Sequence, residues 1–119
     1  DLETIKKRLA GVPTDAGKGS EVPSEGGVAS LLQLVSLFQG DEARQQYEQA
    51  YTSEGLRYQD LKESLAQAIY EELQPIQEKR AELAADSEKL DEIIATGAEK
   101  AQAIARETVT EVKERMGLL

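Results

Sequence analysis

Tyr58-Gln59-Asp60-Leu61-Lys62-Glu63-Ser64-Leu65-Ala66-Gln67-Ala68-Ile69-Tyr70-Glu71-Glu72-Leu73-Gln74-Pro75-Ile76 is the stretch that decides the fold. Leu61, Leu65, Ala68, Ile69, Leu73 and Ile76 recur at three- and four-residue steps, and the stripe runs on to Leu83. Asp60, Glu63, Glu71, Glu78 and Glu82 fall largely outside it. This is the period of an amphipathic α-helix with one apolar face. Pro75 removes a backbone donor and crowds the preceding turn, so a kink near residues 71–74, or two helices meeting there, is expected.

Outward from this stretch the pattern stays helical. Downstream, Asp86 is placed to cap a last segment in which Leu90, Ile93, Ile94, Ala98, Ala101, Ile104, Ala105, Thr108, Val112 and Met116 form a second stripe. Gly97 lies within it and reads as a close-packing point or a break between helices, since no Gly-rich loop surrounds it. Upstream, Asp41 is placed to cap a helix from Glu42 to about Tyr51, with Tyr47 and Tyr51 one turn apart. Before that, Val28, Leu31, Leu32, Leu34, Val35, Leu37 and Phe38 cover more than half a helix circumference, which predicts burial on most sides. Gly40 offers that helix a C-terminal cap. Residues 11–27 hold five of the nine glycines and two of the three prolines and read as a loop or linker. Leu2, Ile5 and Leu9 behind Asp1 predict a short first helix over residues 2–10. No strand, internal repeat or sustained heptad is visible. The expected fold class is all-α, a small bundle of about four to five helices with a Gly/Pro-rich loop near the N-terminus.

Composition narrows the chemistry. The 119 residues contain no His, no Cys and no Trp, so there is no Ser-His-Asp triad, Cys nucleophile, zinc finger or imidazole metal site. Disulfides contribute nothing, and no stretch approaches the roughly 20 apolar residues of a membrane helix. The first residues lack the basic-then-apolar pattern of a signal peptide, and a start at Asp1 without Met reads as a cut inside a longer protein or a processed end. With 14 Lys+Arg against 23 Asp+Glu the net charge is -9, and the acid is spread along the chain. That distribution argues against a protein whose main task is gripping phosphates, because such binding draws its strength from Lys and Arg.

Carboxylate pairs such as Glu71-Glu72, Asp91-Glu92 and Glu107 with Glu111 read as solvated helix faces, since helical di-metal sites normally add His and point inward. Lys79-Arg80 beside Glu78 and Glu82, and Glu111 with Arg115, read as ordinary surface pairs. Thr14-Asp15-Ala16-Gly17-Lys18-Gly19 reads as a plain polar loop. The segment Gly55-Leu56-Arg57-Tyr58-Gln59-Asp60-Leu61-Lys62 is the strongest candidate site. It puts Arg57, Tyr58 and Lys62 at a helix start, where free amides attract anions and an aromatic ring can stack on an unpaired base. The plainer alternative is a capped helix start with Tyr58 as a packing residue.

The ordered set of runs carries a resemblance. Pro23-Ser24-Glu25-Gly26-Gly27-Val28-Ala29-Ser30-Leu31-Leu32, then the 55–62 segment, then Leu73-Gln74-Pro75-Ile76-Gln77-Glu78-Lys79-Arg80, then Leu90-Asp91-Glu92-Ile93-Ile94-Ala95-Thr96-Gly97-Ala98-Glu99-Lys100-Ala101, and finally Val112-Lys113-Glu114-Arg115-Met116-Gly117-Leu118 together resemble the C-terminal part of bacterial-type tryptophanyl-tRNA synthetases. The chain departs from that pattern at Glu25-Gly26-Gly27-Val28-Ala29-Ser30, where relatives commonly carry a Lys-Pro-Gly-Val-Ser-Asn-like run.

The resemblance implies a parent ligase that activates tryptophan with ATP and Mg²⁺ and transfers it to tRNA(Trp). Neither the His-Ile-Gly-His type signature nor the Lys-Met-Ser-Lys-Ser loop of the catalytic domain is present, so catalytic residues, cofactors and metal are expected to be absent from this part. Residues 1–26 are expected to be the tail of the catalytic domain and a linker, and 27–119 a helical, anticodon-binding type domain. The implied partners are tRNA(Trp), the chain's own catalytic domain and, for the parent, a second subunit in a homodimer, all in the cytoplasm and without a membrane. Arg57 and Lys62 are the expected contacts to phosphate or a base edge, and Tyr58 the stacking residue. The competing reading is a helical interaction or scaffold module without nucleic acid, docking through the Val28–Phe38 face.

Overall fold

Each helix begins and ends where local chemistry permits. In the computed structural model, which describes residues 1–119, Asp1 accepts a 2.8 Å hydrogen bond from the Thr4 amide and starts α1 (Leu2–Ala10). Gly11 closes it. The loop that follows passes over the start of α2 (Gly26–Gln39). A Cβ on Gly27 would lie 2.0 Å from the Pro13 carbonyl oxygen, and Gly26 has φ +85°, so the double glycine is what lets helix and loop meet. Gly40 (φ +92°) ends α2 and also stands at the N-cap of α3 (Asp41–Thr52). Asp41 is therefore the first helical residue rather than the expected cap, and its carboxylate instead accepts from the Ser36 hydroxyl. After the turn at Ser53–Arg57, α4 spans Tyr58–Ala85 and α5 spans Ser87–Arg115, with the Asp86 carboxylate accepting from the Lys89 amide at 3.0 Å. The fold is all-α, with five helices and no strand.

Pro75 lies inside α4, which stays one helix through it. Gly97 likewise sits mid-helix in α5 with open space where a side chain would go, so it is neither a break nor a packing point.

The chain divides into two compact units, residues 1–76 and 77–119. The first holds every buried hydrophobic residue: Leu9 of α1, Val28, Leu31, Leu32 and Val35 of α2, Tyr51 of α3, Leu56, and Leu61, Leu65 and Ala66 of α4. The α2 residues Val28, Leu31, Leu32 and Val35 share one face, while Leu37 on the opposite side is 74% exposed. The expectation of burial on most sides of α2 is corrected accordingly. The Val28–Phe38 face is also withdrawn as a docking surface, because its inward residues already form the chain's own core. Residues 1–26 pack on this core through Leu9, with Leu2, Ile5, Val12 and Val22 against its margin.

In the second unit, the Glu82 carboxylate binds Lys79 Nζ at 2.8 Å and Lys89 Nζ at 3.1 Å, tying the last turns of α4 to the first of α5. These two lysine hydrogen bonds hold the Glu82 carboxyl below its ordinary value. No residue of α5 is buried.

Candidate nucleic-acid interface

The candidate site is built where the chain turns from α3 into α4. Gly55, at φ +113°, donates its amide to the Ala50 carbonyl at 2.7 Å and swings the chain round. The next residue, Leu56, buries its side chain and donates its amide to the Gly17 carbonyl at 2.7 Å. Arg57 follows, and its carbonyl accepts from the Leu61 amide in the first turn of α4.

The three residues singled out in the sequence have different fates. The Arg57 side chain is 87% exposed and makes only a 3.9 Å ion pair with Asp60. Such a pair is weak and readily exchanged for a ligand. Tyr58 is half-buried, and its hydroxyl donates to Asp15 Oδ1 at 2.6 Å. Lys62 reaches back to the end of α1 and donates from Nζ to the carbonyls of Val12 (2.9 Å) and Ala10 (3.3 Å). A cation there satisfies free carbonyls at a helix C-terminus. Tyr58 and Lys62 thus carry structural duties, and Arg57 is the cation most available to a partner. Tyr58 and Lys62 also line, with Lys6, Ala10, Gln59 and Glu63, an open cleft of about 380 Å³.

Asp15, in the run read as a plain loop, is the residue sequence reasoning missed. Its Oδ1 accepts from the Gly17 amide at 2.8 Å as well as from Tyr58, and its Oδ2 accepts from the Tyr51 hydroxyl at 2.6 Å. The hydrogen bonds from Tyr51 and Tyr58, then that from Gly17, lower the Asp15 carboxyl from its ordinary value. The reciprocal effects push both phenols up, Tyr51 chiefly through its bond to Asp15 and Tyr58 chiefly through burial and then that bond. The Asp-x-Gly spacing of a side-chain turn is legible in the sequence. The tyrosine partners, 36 and 43 residues away, are not.

No group of three or more carboxylates stands close enough to hold a metal ion.

No family model and no solved structure matches the chain. Its curated relatives are consistent with one another. It is 34% identical over 120 residues to the tryptophan–tRNA ligase of Porphyromonas gingivalis, covering 98% of this chain and 36% of that protein. With the tryptophan–tRNA ligase of Bacillus anthracis it shares 37% over 118 residues, 98% of this chain and 35% of the other. The enzyme of the same name from Halalkalibacterium halodurans is 35% identical over 120 residues, 99% of this chain and 35% of the other. Over nearly every one of its residues, then, the chain is a sequence relative of the tryptophan–tRNA ligases, and it spans about a third of their length.

Proposed function

We propose that the chain is the C-terminal tRNA-docking and anticodon-reading part of a tryptophan–tRNA ligase. The observation that carries this reading is the similarity to those ligases along nearly the whole of this chain, joined to an exposed arginine at the entry to α4. Arg57 meets a phosphate or a base edge, and the cleft edged by Tyr58 and Lys62 receives the adjoining nucleotide, with the ring as its stacking surface. ATP, Mg²⁺ and tryptophan belong to the remaining two-thirds of the ligase, which works as a cytoplasmic homodimer. An acidic module suits this division of labour, since it supplies a few positioned contacts rather than a phosphate grip. Arg57→Ala in the full ligase is expected to raise the tRNA KM about tenfold, the order of one charge-assisted hydrogen bond. It should also lower the salt slope of tRNA binding by about 1. Unchanged charging kinetics would sink the assignment of Arg57.

A second surface favours a protein contact within the same assembly. Ile93, Ile94, Ile104 and Val112 of α5, with Met116 at its C-cap, are between 48% and 68% exposed along one stripe. A stripe of this length on a single helix marks an interaction face. Because the relatives are about three times as long, the occupant proposed is the ligase's own catalytic domain. An Ile93→Asp/Ile104→Asp double substitution should then lower the thermal midpoint of the full ligase, and an unchanged midpoint would remove this contact.

A further inference from the structure

We propose that Asp15 is the positioning residue for Arg57, a role that rests on the tRNA-docking reading above. Arg57 itself makes no strong side-chain contact, yet both of its chain neighbours are tied to one short turn. Leu56 donates its amide to the Gly17 carbonyl, and Tyr58 donates its hydroxyl to the Asp15 carboxylate. The turn is held in shape by the Gly17 amide on Asp15 Oδ1, and it is anchored to the end of α3 by Tyr51, whose hydroxyl donates to Oδ2 and whose carbonyl accepts from Gly19 at 3.3 Å. The approach is close: a Cβ on Gly17 would lie 2.4 Å from the Leu56 carbonyl oxygen. One turn, shaped by the Asp15 carboxylate, therefore holds the Leu56 backbone on one side of an exposed arginine and the Tyr58 side chain on the other. A long, solvated side chain gains affinity when its base is held in the orientation needed for binding. Sequence placed Asp15 in a loop and Arg57 at a helix start, and only the fold joins them.

The test is steady-state charging of tRNA(Trp) by the full ligase, with tryptophan-dependent ATP–pyrophosphate exchange as the step that needs no tRNA. Asp15→Ala is expected to raise the tRNA KM about as far as Arg57→Ala, about tenfold, while exchange stays at the wild-type rate. The double variant should be no worse than Arg57→Ala alone, since the second change removes a support for a side chain already gone. A normal tRNA KM in Asp15→Ala beside a raised one in Arg57→Ala would overturn the positioning role and leave the docking reading standing. Additive losses in the double variant would also overturn it. A normal KM in Arg57→Ala would fail the docking reading, and the positioning role with it. Should Asp15→Ala not fold, Tyr51→Phe removes one hydroxyl from the same carboxylate. It is expected to raise the tRNA KM about threefold without touching exchange, and no change in KM would overturn the proposal.

Discussion

Residues 58–73 of α4 and residues 90–112 of α5 carry apolar stripes of similar regularity, yet the first holds Leu61 and Leu65 at 0% exposure and the second has no buried residue at all. The difference lies in what each helix meets. Leu61 and Leu65 at the start of α4 belong to one buried cluster with Leu31, Leu32 and Val35, and Tyr58 in its first turn bonds the Asp15 carboxylate. An amphipathic helix is stable in a protein mainly through the surface it packs against, so equal patterns do not have equal energetic weight. The comparison also separates apolar residues that support the fold from those that stay exposed along α5.

All four tyrosines, Tyr47, Tyr51, Tyr58 and Tyr70, lie in residues 1–76, so near-ultraviolet circular dichroism reads that unit alone. The largest expected effect is Leu65→Ala, which should cost about 2–5 kcal/mol through lost burial and the cavity left behind and should lower the tyrosine-monitored midpoint. Ile104→Ala in α5, measured on the same 119-residue chain, is expected to stay within about 0.5 kcal/mol. A loss of several kcal/mol at Ile104 would show that its stripe is covered in solution and would break the contrast. Next in size is Gly17→Ala, expected to cost about 1–3 kcal/mol because Gly17 has φ +78° and its Cβ would meet the Leu56 carbonyl. Asp86→Ala should then cost about 1 kcal/mol as a lost N-cap. That loss should appear in the far-ultraviolet helical signal and leave the tyrosine signal in place.

The smallest expected effect is a pH dependence confined to the first unit. The Asp15 carboxyl is lowered on folding, so its stabilisation is fully present above the ordinary aspartate range and is lost as pH falls through the depressed value. The Tyr51 and Tyr58 phenols are raised, so their share is present below the ordinary tyrosine range and is lost as pH rises through the elevated values. Stability that falls at both extremes in wild type and becomes flatter in Asp15→Asn would confirm the cluster. Identical profiles would remove its electrostatic role.

Much of the helical layout is legible in the residues. Asp1 and Asp86 cap as their positions predict, Gly40 ends α2, and the expected loop over residues 11–27 is observed through residue 25, with Gly26 and Gly27 opening α2 instead. Local rules misplace Asp41, because Gly40 at φ +92° already occupies the cap position and frees the aspartate to bind Ser36. They also overstate burial on α2, since an apolar composition does not say how many neighbours a helix will have. At the candidate site, the start of α4 is readable, but the commitments of Tyr58 to Asp15 and of Lys62 to the end of α1 are not.

What this sequence determines by itself is local: helix periods, caps, turn glycines, a chemistry without His or Cys, and a resemblance carried by five ordered runs. These depend on residues within a turn or two of one another, where side-chain spacing and backbone freedom act directly. Tertiary structure decides which apolar stripe becomes core, which cation of the candidate site stays exposed, and that one aspartate binds two tyrosines 36 and 43 residues away. Those outcomes depend on contacts whose loop-closure cost is met only when the whole first unit assembles, so no local pattern encodes them.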